Sequence, residues 1–311
     1  MSIAVLGSYG EGNLGDEAIL TGIQNRFPTE KLIIFSHDLV LSRKLHPGLQ
    51  VLPMLPAGLR SYAKQITNGQ LRQSLQVLKS CERVLIGGGG IFYDSLFSNG
   101  RNPVKIWYWR SKLLQYYKIP YELYCVGVSK LQKAESRKLM SKLALAAKQV
   151  SVRDQLSESN LRDCDYPEKV QVARDPAFDF PIPKDKRNYD GFTVGLVLRK
   201  WQDKQQTFQQ IMQELSKLPE KKFQLKLIPF SSGRDDDRII LSEFKQNLPL
   251  DLKQRCELLE PPDPKVAFEM IAGLNLLIGM RLHSLIFAKL AKVPYLPIYY
   301  DEKVRAVLAE G

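Results

Sequence analysis

The chain has little of what metal, disulfide and transmembrane architectures require. It carries four cysteines and three histidines in 311 residues. Cys81, Cys125, Cys164 and Cys256 stand far apart, with no CxxC pair and no histidine at ligand spacing. That argues against a zinc site and a disulfide framework, and predicts reduced, mostly packed thiols. No apolar run approaches the roughly 18 residues that span a bilayer. Met1 to Gly7 leads straight into a strand without a basic leader region, so the expected location is the cytoplasm. Carboxylates are also scarce: 33 Asp and Glu face 45 Lys and Arg, a formal charge of +12. Such an excess implies acidic partners, among them nucleic acid, anionic lipid and phosphorylated substrates.

The chain exceeds the usual size of a single core, and its 44% hydrophobic residues can fill two. Short β-rich runs alternate with helical ones. Ile3 to Leu6, Leu32 to Phe35, Arg83 to Ile86, Glu122 to Val128 and Val150 to Val152 read as buried strands. Glu17 to Phe27, Asn68 to Ser80 and Lys133 to Lys148 read as crossover helices. The proline-bearing stretch from Asp175 to Gly191 reads as a linker. The alternation then restarts, with strands at Thr193 to Leu198, Leu225 to Pro229, Leu274 to Gly279 and Tyr295 to Tyr300. The expected fold is therefore α/β: two Rossmann-like, doubly wound domains, 1–180 and 181–311, facing each other across a cleft. Ligands are then expected at the carboxyl ends of the strands.

Part of the basic excess is concentrated. Between Arg101 and Val150 eleven Lys and Arg stand against Glu122 and Glu135, interleaved with Trp107, Tyr108, Trp109, Tyr116, Tyr117 and Tyr121. Rings at headgroup depth with cations facing anionic lipid suit a membrane surface. A solvated helix face with its aromatics turned inward is the alternative reading. Nucleic acid is not expected, because no recognised binding module accompanies the charge.

Five strand ends carry unusual residues. Gly10-Glu11-Gly12-Asn13-Leu14-Gly15 spells GxGxxG, with Asp38 about twenty residues on. A dinucleotide site is nevertheless rejected. Gly7 already closes the strand, and Asp16 and Glu17 in the first helical turn would repel a pyrophosphate. Asn13, Asp16 and Glu17 instead suit sugar hydroxyls, with helix capping as the alternative. Ile86 is followed by Gly87-Gly88-Gly89-Gly90; such a run, Gly88 and Gly89 at its centre, suggests a loop approached closely by ligand. Arg153 ends a strand in Ser151-Val152-Arg153-Asp154, Arg199 follows Leu198, and Lys303 lies in Tyr300-Asp301-Glu302-Lys303-Val304. Met280-Arg281-Leu282-His283 joins an apolar strand to an apolar helix. Such a turn favours an anion, arginine offers a bidentate fork, and histidine offers a proton near neutral pH. Arg153, Arg199, Arg281, Lys303 and His283 are expected to converge on one cleft that takes a multiply charged anion.

The runs Gly12 to Leu20, Ile86 to Ile91, Ser151 to Asp154, Asp175-Pro176-Ala177-Phe178 and Met280 to Ile286, in that order along nearly the whole chain, resemble the polysaccharide pyruvyl transferases, specifically the CsaB type. The resemblance implies a GT-B-type fold and phosphoenolpyruvate as donor. Its pyruvyl group would become a ketal on a cell-wall or exopolysaccharide sugar, often one carried on a lipid diphosphate. Glu302 stands where the family usually has proline, and the chain ends at Gly311 where relatives continue into closing helices.

The implied chemistry fits the residues. A donor with a carboxylate and a phosphate needs at least two cationic clamps, which Arg153, Arg281 and Lys303 can supply. His283 is the candidate acid that protonates the enol methylene. The scheme needs no metal and no cofactor beyond the donor. The expected location is the cytoplasm, with the inner membrane face as an option for a lipid-borne acceptor. Two other classes fit less well: a GT-B glycosyltransferase using a nucleotide sugar, and a non-catalytic membrane-associated scaffold.

Overall fold

A computed structural model describes the chain except residues 95–101, 202, 219–221, 234, 262, 300, 301 and 311; of Lys303 and Glu310 it describes the backbone alone. By its contacts the chain forms two compact units. The first contains Met1–Glu11 and Ile19–Asp179 together with the carboxyl end, and the second contains Gly12–Ala18 and Phe180–Leu308.

The first unit runs β1 (Ser2–Leu6), α1 (Leu14–Arg26, of which the start groups with the second unit), β2 (Lys31–Ser36), α2 (Leu39–Leu45), β3 (Gln50–Pro53), α3 (Leu59–Thr67), α4 (Gln70–Ser80) and β4 (Arg83–Phe92). It continues through α5 (Pro103–Tyr116), β5 (Glu122–Val128), α6 (Ala134–Leu145), β6 (Gln149–Val152), α7 (Gln155–Arg162) and β7 (Gln171–Val172). Its strands lie in the order β3-β2-β1-β4-β5-β6-β7, every described pair parallel. The five expected strands form the middle of this sheet, where both faces are covered and the sequence must be apolar throughout. The short edge strands β3 and β7 carry no such signature.

The order reverses between β1 and β4, the switch point of a doubly wound sheet. There the four-glycine run differs from the expected loop. Gly87 to Gly90 lie within β4, with Gly87, Gly88 and Gly89 at positive φ and the register against β5 shifted near Gly89. A side chain on Gly87 would strike the Tyr124 carbonyl, and one on Gly88 would strike Ile19. Gly88 and Gly89 are buried. Packing within the protein accounts for Gly87 and Gly88, and positive φ favours glycine at Gly87, Gly88 and Gly89 alike.

The basic aromatic segment is also divided by the fold. Along α5, Val104, Trp107, Arg110, Ser111 and Leu114 face inward. Arg110 is buried, lies over the Trp107 ring and donates to the Leu55 carbonyl. Burial pushes its guanidinium down to about 10, so it stays charged at neutral pH. Arg110 is thus removed from any surface patch. Tyr121 is likewise internal and donates to the Leu143 carbonyl at 2.6 Å.

In the second unit come β8 (Thr193–Val197), α8 (Lys204–Ser216), β9 (Gln224–Leu227), α9 (Asp237–Gln246), α10 (Leu250–Gln254) and β10 (Cys256–Leu258). Then follow α11 (Pro264–Ala272), β11 (Leu276–Gly279), α12 (Leu282–Leu290), β12 (Tyr295–Pro297) and α13 (Glu302–Glu310). The parallel sheet has the order β10-β9-β8-β11-β12. Its switch point falls between β8 and β11, whose registers match from Val194 against Leu276 to Val197 against Gly279. The four cysteines are unpaired, and all but Cys81 are buried.

Candidate active site

The carboxyl ends of β8 and β11, adjacent at the switch point, run into Arg199 and Arg281. Arg281 is the N-cap of α12, with extended backbone (φ −72, ψ 120) and no side-chain cap on the helix. Its guanidinium forks onto Asp237, Nε to Oδ2 at 3.0 Å and Nη2 to Oδ1 at 2.5 Å. Asp237 is buried at the first position of α9 and also accepts the Phe230 N–H at 3.0 Å. Burial pushes its carboxyl up, while Arg281, the Phe230 N–H and Arg199 draw it back down. The pair holds the fork in one orientation; among the described residues no hydrogen bond engages the Nη1 amino group. Arg199 lies over the ring of Trp201.

The segment opening α1 joins this site. Leu14 N–H donates to the Phe230 carbonyl and Ser232 N–H to the Gly12 carbonyl, each at 2.9 Å, around an antiparallel bridge between Asn13 and Ser231. Gly12 makes this possible: its φ is +76, and a Cβ would meet the Gly233 nitrogen at 2.8 Å. Asn13 caps the helix, accepting from Gly15 N–H, and its amide donates to Asp16 at 2.7 Å. Asp16 and Glu17 are buried. Asn13 and Asp16 therefore bond to each other and Glu17 faces inward, and the side chain that accepts a first-turn N–H is Asn13, not Asp16.

One turn into the helix, Gly15 lies directly against His283. A Cβ on Gly15 would overlap the imidazole. Gly15 thus fixes where the ring sits. Its backbone is helical, so alanine there improves helix propensity by up to about 1 kcal/mol, and any loss of activity must come from the displaced ring. Gly15→Ala is expected to lower kcat about 10²-fold, the scale of a 1 Å misplacement, with little change in KM. Steady-state kinetics checks this; an unchanged kcat would show that the ring position is irrelevant.

Three sequence-distant pieces thus meet in the second unit: 12–17, 230–237 and 281–283, with Arg199 alongside. Asp237 and Ser231 are new relative to the sequence reading. Their signal is the run Asp235-Asp236-Asp237 after a strand. Asp236 caps α9 and pairs with Arg238, which leaves Asp237 turned inward.

Arg153 is placed elsewhere. It belongs to the first unit at the end of β6, buried between Asp154 (3.4 Å) and Asp175 (2.9 Å). Those carboxylates also cap the chain, Asp154 receiving Ser157 N–H and Asp175 receiving Ala177 N–H. Its charge is compensated from two sides by these carboxylates, in a unit other than the one that holds Arg199, Arg281 and His283. The Asp175 end of the expected linker is accordingly packed: Pro176, Ala177 and Phe178 are buried in a short 3₁₀ turn. Lys303 lies in α13, and its side chain falls outside the described residues. Among the described residues no group of three His, Cys, Asp or Glu is disposed to hold a metal ion.

Two doubly wound parallel-sheet units place the chain in the GT-B fold class. Solved structures agree. The UDP-GlcNAc 2-epimerase from Neisseria meningitidis, bound to UDP-GlcNAc, superposes with a TM-score of 0.57 at 16% identity, covering 99% of this chain and 85% of that one. Anabaena Alr3699/HepE in complex with UDP-glucose gives 0.59 at 14% identity, over 96% and 80%. The UDP-GlcNAc 2-epimerase from Methanocaldococcus jannaschii gives 0.58 at 14%, over 97% and 84%. At these identities the likeness concerns the fold. The chain itself belongs to the polysaccharide pyruvyl transferase family, whose sequence model matches residues 13–302. A search of curated proteins returns no match.

Proposed function

We propose that the protein transfers the pyruvyl group of phosphoenolpyruvate to two hydroxyls of a saccharide, forming a ketal in the manner of the CsaB type. The acceptor would be a cell-wall or exopolysaccharide sugar carried on a lipid diphosphate and met at the inner face of the membrane. Family membership supports the transferase class. The observation that carries the chemistry is Arg281, Arg199 and His283 at one switch point, with the imidazole seated against Gly15.

In this reading the cations hold the donor's carboxylate and phosphate. His283 gives its proton to the enol methylene, which becomes a methyl group and leaves C2 oxocarbenium-like. A sugar hydroxyl adds to C2 and loses its proton. The C2–O bond to phosphate then breaks, phosphate leaves with its electron pair, and a second hydroxyl closes the ring as its proton is lost. The balance is one phosphoenolpyruvate and two hydroxyls in, one ketal and one phosphate out. General acid catalysis of this kind contributes roughly 10² to 10⁴ in rate. The test is mass spectrometry of acceptor glycolipids incubated with phosphoenolpyruvate: an added pyruvyl mass supports the reading, and its absence across pyruvylatable acceptors sinks it. Turnover on any of them also removes the scaffold reading.

A nucleotide-sugar glycosyltransferase is the second reading, favoured by fold neighbours solved with UDP-GlcNAc and UDP-glucose. Titration calorimetry separates the two, since uridine nucleotide affinity without phosphoenolpyruvate affinity would replace the first with the second. The same measurement tests the fork. Lysine at 281 keeps the charge but cannot span both oxygens of Asp237 and also turn an amino group to a ligand. Arg281→Lys is expected to weaken phosphoenolpyruvate binding by about 1.5 to 3 kcal/mol. An unchanged Kd would restrict Arg281 to its pairing with Asp237.

A further inference from the structure

We infer that α3 and the exposed edge of α5 form a docking surface for an anionic lipid bilayer. This surface differs from the basic aromatic segment as a whole. It centres on α3, a nine-residue helix with no buried residue. Two side chains tie α3 to the first unit: Tyr62 packs against its core, and Gln65 donates to the Met54 carbonyl at 2.9 Å. Helical geometry places Leu59, Ala63 and Ile66 together on one stripe, with Arg60 and Lys64 beside it. Leu59 is 91% exposed and Ile66 53%.

On α5 the residues left outside repeat the pattern. Lys105, Trp109, Lys112 and Tyr116 follow the spacing i, i+4, i+7, i+11, a single stripe alternating cation and ring. Trp109 is 52% exposed and Tyr116 79%. The two helices approach each other at Tyr62 and Tyr117, which both pack against the core of the first unit, and the Tyr117 ring meets that of Tyr116 edge-on at 5.0 Å. Lys79 reaches over Tyr117 from the end of α4.

Charge selects the partner. No carboxylate occurs from Leu39 to Cys81, a stretch with six Lys and Arg, and none between Asp94 and Glu122. Single exposed apolar residues are ordinary on any protein. Here four large ones stand on two helices that pack on the same core, within carboxylate-free sequence. A polyanion such as nucleic acid would use the cations but leave Leu59 and Ile66 without a function. An acidic lipid surface uses both, since the cations meet headgroups while Leu, Ile, Trp and Tyr enter the interfacial layer. The inference deepens the proposed function only in that a lipid-borne acceptor would give the docking its purpose; lipid binding itself is measured separately.

The experiment is cosedimentation of the full chain with vesicles of phosphatidylcholine alone and with phosphatidylglycerol added. Binding is expected only to the acidic vesicles, and should fall steeply as salt shortens the Debye length. The variant Arg60→Gln/Lys64→Gln/Lys105→Gln/Lys112→Gln should lose at least ~10²-fold in partitioning. Leu59→Ser/Ile66→Ser/Trp109→Ser should lose at least ~10-fold while still binding heparin as the wild type does. Where a multiple variant melts early, brominated-lipid quenching of the wild type against Trp109→Phe reads insertion without it. Equal binding to neutral vesicles, an apolar variant that binds normally, or quenching that ignores Trp109 would overturn the inference; normal vesicle binding by the apolar variant, with heparin binding retained, would mark a general polyanion surface. Transfer to a soluble disaccharide should be unchanged in all these variants. Vesicle binding by a wild type that transfers no pyruvyl group would uphold the surface and overturn the proposed function.

Discussion

His283→Ala is expected to lower kcat by at least ~10²-fold while the dissociation constant of phosphoenolpyruvate changes little. Proton delivery is removed, but the arginines that hold the anion remain. The pH profile makes the test specific. An acid must be protonated to act, so wild-type kcat should decline on the alkaline side as the imidazolium is lost. The residual activity of His283→Ala should lack that decline. A variant with near-normal turnover, or with an unaltered alkaline limb, would assign the proton to another group.

The second large effect concerns stability. Asp237→Ala leaves the Arg281 guanidinium almost buried, with side chains only 11% and 1% exposed in the native pair. It also removes the acceptor of the Phe230 N–H. Breaking one side of such a pair costs about 3–5 kcal/mol, a drop of about 5 to 8 °C in the melting temperature at this size. The double variant Asp237→Leu/Arg281→Met should recover most of that loss, because no charge is then left buried, yet it should bind phosphoenolpyruvate no better than Asp237→Ala. Scanning calorimetry and titration on the same preparations decide it. Equal stability of the single variant and the wild type would mean that the pair is not closed in solution. Recovered donor binding in the double variant would remove Arg281 from the site.

The strands at the centre of each sheet were legible in the sequence because they are covered on both faces. Val84 to Ile86 and Val194 to Val197, for example, have no polar position that solvent could reach. The edge strands β3, β7 and β10 were not, since two to four residues with one flank unpaired carry no periodicity. Helix α3 was missed for a related reason: with nothing buried, it lacks the core-facing face that the pattern search relies on.

The chemistry available to the site is legible along the chain: a histidine and an arginine at a strand-to-helix turn, a second arginine at the neighbouring strand end, and motif order sufficient to imply the family. Which partner each charge meets is legible only in the folded chain. Arg153 and Arg281 look equivalent along the chain, since each follows a strand. One is buried between Asp154 and Asp175, whereas the other is forked onto Asp237 beside His283. The reason is that ion pairing and burial depend on residues 22 and 44 positions away, brought close by sheet order. The same holds for Gly15. Its sequence motif spells a tight turn without saying what lies against the glycine, and only the packed ring of His283 shows what its missing side chain makes room for.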